Sequence, residues 1–195
     1  MIEDLIKAFI TIIVIIDPLG ILPTFLSLTK NKSNEKIQKS ANKTIFVSSV
    51  IILLFIFLGP YILKFFNISL PSFKVAGGLV MLVMGVTYVL DIKIGSTEKY
   101  SEDITVPMAT PIVAGPGTLS TVMILVPYYG YLITFISAMF ALFLTWLSLS
   151  LARLIKKHIG EQGMETISRL MGLIVTAIAI EFIISGAMEL IKSLL

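Results

Sequence analysis

Apolar residues in this chain run on in long blocks rather than alternating with polar ones at strand or amphipathic-helix spacing. Six blocks have the roughly 20-residue length of a helix that crosses a bilayer. They fall at about 5 to 28, 43 to 65, 73 to 91, 105 to 127, 130 to 152 and 167 to 190. The pattern predicts an all-α integral membrane protein with six transmembrane helices in a single membrane domain spanning 1–195. Composition agrees. Of 195 residues 56% are hydrophobic and 14% charged, against roughly 25% charged in a soluble domain, and the mean hydropathy is +0.98. So much apolar sequence exceeds what one water-facing core can hide, and it excludes intrinsic disorder. The start, Met1-Ile2-Glu3-Asp4, lacks the positive region of a cleavable signal, so the first block is expected to remain in place.

Charge changes the picture mainly by giving direction. Basic residues in short loops tend to stay cytoplasmic. Eleven of the 15 lie in the loops between spans 1 and 2 (Lys30, Lys32, Lys36, Lys39, Lys43), 3 and 4 (Lys93, Lys99), and 5 and 6 (Arg153, Lys156, Lys157, Arg169). Lys7, Lys64, Lys74 and Lys192 fall on the other side. Both termini are therefore expected outside a plasma membrane. A net charge of +3 offers no polybasic stripe for nucleic acid. The absence of cysteine removes disulfides and thiolate ligands. His158 belongs with the loop charges, and the nine methionines read as packing residues, so neither metal nor cofactor is expected. Tyr128, Tyr129 and Tyr131 suit an aromatic belt at the outer interface, and Trp146, inside span 5, is expected to pack against another helix.

The chain also resembles itself. Pro18-Leu-Gly-Ile-Leu-Pro23-Thr24-Phe25-Leu26-Ser27 is matched 93 positions later by Pro111-Ile-Val-Ala-Gly-Pro116-Gly117-Thr118-Leu119-Ser120. At an offset of 94, Ala76-Gly77-Gly78-Leu79 meets Leu170-Met171-Gly172-Leu173. Chance matching of Pro and Gly is the competing account. Three spans per copy, about 1–92 and 105–195, would place the second copy upside down relative to the first, the inverted repeat of secondary transporters.

Proline removes a backbone donor and glycine eases an irregular turn, so Asp17–Pro23 in span 1 and Pro111–Gly117 in span 4 are expected to break their helices. In hydrocarbon such breaks survive only when buried or lining a watery cavity. Each leaves amides at a half-helix N-terminus and carbonyls that can accept bonds. A small zwitterion suits that arrangement, with its carboxylate near Thr24, Gly117 and Thr118 and its ammonium on carbonyls or Asp17. Gly20, Gly115 and Gly117 permit close approach. Simple proline kinking is the alternative. Two acids, Asp17 and Glu181, lie deep in spans, where a charge costs about 2.5–3.5 kcal/mol on insertion scales. Either is a candidate for exchanging a coupling proton. Asp17 also reads as a helix cap, and Glu181 as a hydrogen-bond partner of Thr176 or a serine.

Four ordered blocks carry a resemblance over essentially the whole chain: Ile16-Asp17-Pro18-Leu19-Gly20-Ile21-Leu22-Pro23 through Thr29, Phe73-Lys74-Val75-Ala76-Gly77-Gly78, Pro107-Met108-Ala109-Thr110-Pro111 through Gly117, and Ile167-Ser168-Arg169-Leu170-Met171-Gly172-Leu173. In these the chain resembles the MarC family of integral membrane proteins, whose members include transporters of small neutral amino acids. The resemblance implies six helices, an inverted three-helix repeat with helices 1 and 4 broken, and uptake of glycine, alanine or similar amino acids with protons. Glu181 departs from the pattern, standing where the family commonly has an amide, so its acid marks a local change in coupling.

The expected function is a secondary transporter rather than an enzyme. Its substrate site would be formed by Asp17, Gly20, Thr24, Gly115, Gly117 and Thr118, with Asp17 and Glu181 as proton-coupling candidates. The expected partners are the bilayer, a zwitterionic substrate and a proton or sodium ion. An antibiotic or metabolite exporter shares the architecture. An intramembrane hydrolase pairing Asp17 with Glu181 is the other class considered, without a protease signature to support it.

Overall fold

The computed structural model describes residues 1–30, 32–90 and 108–194, and among them the only regular structure is helical. The elements are α1 (Ile2–Ile16), α2 (Pro18–Leu28), α3 (Asn34–Phe65), α4 (Leu70–Val89), a π-type turn (Met108–Val113), α5 (Pro116–Ser150) and α6 (Ala152–Leu194). The charged connection that includes Asp91, Lys93, Glu98, Lys99, Glu102 and Asp103 lies outside the described residues. Among the described residues five helical stretches are long and apolar enough to cross a membrane, with α1 and α2 together making the first. Two of the long helices contain a non-helical glycine, Gly130 in α5 and Gly160 in α6.

Gly130 has φ 82° and ψ 164°, a region open essentially to glycine alone. Nothing lies within 4 Å of where its Cβ would stand. Gly130→Ala therefore tests backbone strain without a clash, and it should lower stability by about 1–3 kcal/mol in a thermal unfolding measurement. Tyr128 and Tyr131 flank this bend and are 78% and 48% exposed. Tyr131 stacks on Phe57 of α3 with ring centroids 5.8 Å apart.

The outer surface is strongly apolar: Phe46 is 69% exposed, Phe65 84% and Leu132 71%. In water this surface would drive aggregation; against lipid tails it is matched. Lipid also removes the hydrophobic drive between helices, so close van der Waals contact has to hold them together. The buried stripe of α3 recurs at three- to four-residue spacing from Ile37 through Ala41, Thr44, Ser48, Ile52, Ile56 and Gly59 to Leu63. It faces α5 and the π-type turn, where Ser48 Oγ donates to the carbonyl of Ala109 at 3.4 Å. The second half of α5 packs on α1 as well: Ser137 Oγ donates to Leu5 O at 3.2 Å and Phe9 meets Phe140. Trp146 packs as expected, its indole donating to Asn42 of α3 at 2.7 Å.

The closest seam joins α4 and α6. A Cβ on Gly78 would stand 2.8 Å from Ala179 O and from Ile183 Cγ1. One on Gly172 would stand 2.9 Å from Gly85 O and 3.0 Å from Val89 Cγ2. Small residues let the two backbones touch. Lys74 and Glu189 pin one end of the seam with a 3.0 Å ion pair. At the opposite end of the bundle Arg153 bonds Asn34 and the carbonyl of Lys32, gathering the basic connections on one side.

Candidate functional site

The first break is a single residue wide. Asp17 adopts φ 50° and ψ 66°, a left-handed conformation that costs a non-glycine residue roughly 1–2 kcal/mol. Its Oδ1 accepts from Gly20 N at 3.1 Å, capping α2, and Pro18 takes the first helical position, where a missing N–H costs nothing. The helix then continues through Pro23 to Leu28. The expected irregular stretch from Asp17 to Pro23 is thus corrected to one hinge residue: only the proline at the helix start coincides with a break.

The second break is wider. Thr110 is extended (φ −135°, ψ 129°), as a residue preceding proline tends to be. Ala114 N reaches back to Ala109 O at 2.8 Å, a five-residue closure. Gly115 is extended before Pro116, which opens α5. The break in span 1 therefore precedes the first proline of the matched pair, Pro18, whereas α5 begins at the second, Pro116.

The two helix starts differ chemically. Asp17 fills the amide end of α2. The start of α5 has no side-chain cap, so the amides of Gly117 and Thr118 are its first-turn donors. The Thr118 hydroxyl is turned away, donating to Val113 O at 2.9 Å. Gly117 and Thr118 both line a partly open cavity of about 30 Å³. Asp17, 8% exposed, lines the same cavity, and its Oδ2 has no hydrogen-bond partner. The C-terminal end of α1 also reaches the cavity, at Ile15 and Ile16, bringing the negative end of that helix dipole. One small space is thus lined by a carboxylate and by the first turn of an uncapped helix.

Of the expected contact residues, Asp17, Gly115, Gly117 and Thr118 line this cavity. Gly20 lies buried under Asp17, with room for no side chain: a Cβ there would be 2.0 Å from Asp17 Oδ2. Thr24 is not part of the lining but lies near the hydroxyl of Tyr88 of α4, which is. Glu181 is not brought to the site; it lies on the exposed side of α6. The hydroxyls expected to meet it go elsewhere, Thr176 to Gly172 O and Ser185 to the backbone carbonyl of Glu181. The α4 wall of Met81, Met84 and Tyr88 is absent from the sequence expectation. The spacing of Gly78, Met81, Gly85 and Tyr88 could have exposed it, because residues three to four apart share a helix face.

A sequence model described as MarC family integral membrane protein matches residues 2–191. The chain belongs to the MarC family. Similar curated proteins carry the same broad description over nearly their full length. A UPF0056 membrane protein of Methanocaldococcus jannaschii is 34% identical over 93% of this chain and 94% of its own. UPF0056 membrane protein YhcE of Escherichia coli is 32% identical over 97% and 94%. A UPF0056 membrane protein of Aquifex aeolicus is 28% identical over 96% and 94%. No solved structure matches the chain. Family membership and the apolar helices make this an integral membrane protein.

Proposed function

We propose that this MarC family protein is a secondary transporter of small neutral amino acids of the glycine and alanine type, driven by protons. The observation that carries the reading is one cavity beside two helix breaks that is lined both by Asp17, one of whose carboxylate oxygens has no partner, and by the uncapped start of α5 at Gly117 and Thr118. A zwitterion complements both sides. Its carboxylate takes the amides and the positive end of the α5 dipole, and its ammonium takes Asp17, which also exchanges the coupling proton when the ammonium leaves.

In the same reading the chain forms six spans, with Gly130 turning α5 back across the membrane, arranged as an inverted 3+3 repeat. The α4–α6 seam supports this. At the offset of 94, Gly78 corresponds to Gly172, Gly85 to Ala179 and Val89 to Ile183. The contacts of Gly78 with Ala179 and Ile183 then become those of Gly172 with Gly85 and Val89. Such an exchange is what a twofold axis in the membrane plane requires. The α1 contact with the second half of α5 and the contact of Gly59 in α3 with Met123 in its first half fit the same axis. Both termini lie outside the plasma membrane, following the basic end gathered by Arg153. Transport proceeds by rocking one half against the other, which opens the cavity to each side in turn.

Purified protein in proteoliposomes should accumulate labelled glycine or alanine under an imposed inward proton gradient and lose that accumulation when an ionophore collapses it. A thermal shift screen over the twenty amino acids should give stabilisation by the smallest neutral ones, since a ligand that binds the folded state raises stability with its concentration over Kd. Failure to accumulate either substrate sinks the reading. Efflux of antibiotics without amino acid uptake would favour an exporter.

A further inference from the structure

The α4 wall of the cavity decides how large a ligand the amide end of α5 can take. Met81 is 6% exposed, and its sulfur lies 2.1 Å from where a Cβ on Gly117 would be. Val175 and Ala179 of α6 pack with Met81 in one buried cluster, so its stem is held from behind. Any ligand whose carboxylate reaches the Gly117 amide has this thioether as an immediate neighbour. Each carbon added to the ligand competes with it for the same volume. Methionine is unbranched and rotates about three bonds, so it can yield a little space but not vacate the wall.

We propose that Met81 is the specificity-determining residue that limits the substrate to side chains of about a methyl group. The inference rests on the amino acid site described above. It explains selectivity for small substrates by a side chain from α4, a helix that carries neither break. An apolar wall discriminates by about 10- to 200-fold per methylene group. Shortening Met81 should therefore shift the ratio of leucine to glycine transport by at least about tenfold.

The experiment is competition uptake in proteoliposomes with glycine, alanine, valine and leucine, on wild type, Met81→Ala and the smaller cut Met81→Val. Expected is a leucine-to-glycine ratio that rises with the volume removed, with glycine transport itself weakened by the looser wall. A second arm tests the contact directly. Gly117→Ala, whose new methyl would strike the sulfur, should lose transport, and the double variant Gly117→Ala with Met81→Ala should recover part of it. Wild-type ratios in folded Met81→Ala and Met81→Val overturn the proposal, as does a double variant no better than Gly117→Ala. A wild type that carries neither glycine nor alanine overturns the transport reading and this proposal with it. Wild-type glycine uptake with unmoved ratios overturns the size limit alone.

Discussion

Asp17→Asn should abolish gradient-driven glycine accumulation and leave the protein folded. Asparagine keeps the acceptor oxygen that caps Gly20 N, matches aspartate in size, and is among the residues that tolerate the left-handed conformation of position 17. The hinge therefore survives. What is lost is the charge at Oδ2, the buried oxygen of this carboxylate that lacks a partner. A hydrogen bond to a charged group contributes about 1.5–3 kcal/mol, which alone corresponds to roughly 10- to 150-fold in affinity. Loss of the proton carrier should remove coupling as well, so any residual uptake should be indifferent to the gradient. Initial rates with and without the gradient, together with a melting temperature near that of wild type, make the test. Asp17→Ala should be worse, because it deletes the cap and costs about a further 1 kcal/mol of stability. Wild-type accumulation by Asp17→Asn would remove Asp17 from the mechanism.

The second large effect is expected at the seam. Gly85→Val should destabilise the protein by about 3 kcal/mol or more, at or beyond the upper end of ordinary overpacking. A Cβ at Gly85 would lie 2.4 Å from Thr176 Oγ1, 2.8 Å from Thr176 N and 2.9 Å from Gly172 O. Two of these three atoms are backbone, so no rotamer change relieves the contact and α6 has to move away. Tyr88 and Met81 sit on the same face of α4, hence the displacement should also open the site and weaken ligand binding. A thermal scan in detergent, with Gly85→Ala as the milder step, checks both. A Gly85→Val protein that melts with the wild type would mean that the helices are not in backbone contact.

The membrane class was legible in the sequence because hydrocarbon permits few solutions, and long apolar runs declare them. The hinge at Asp17–Pro18 was legible for a local reason, a proline preceded by a capping acid. Pro23 misled because a proline breaks a helix or not according to where its missing hydrogen bond falls, and that depends on where the helix starts. Glu181 shows a different limit. Depth along a span can be read from the chain, but the face presented to the bundle depends on neighbouring helices, and at Glu181 it points away from the site. Met81 and Tyr88 gave no chemical signal within an apolar run. Their glycine neighbours at three- and four-residue spacing were the trace available, marking the side of α4 that another backbone approaches.

The unequal helix starts have an effect on how a ligand can lie. Asp17 already satisfies the amide end of α2, while Gly117 and Thr118 leave that of α5 unfilled. In the proposed carrier, two halves built on one plan would therefore read opposite ends of the same molecule. On that proposal, head and tail of something as small as glycine would be told apart without a side chain to grip, and the ligand would be held in a single orientation. In the proposed carrier, chemical polarity is thus imposed by one aspartate on a scaffold whose backbone plan is nearly the same in both directions.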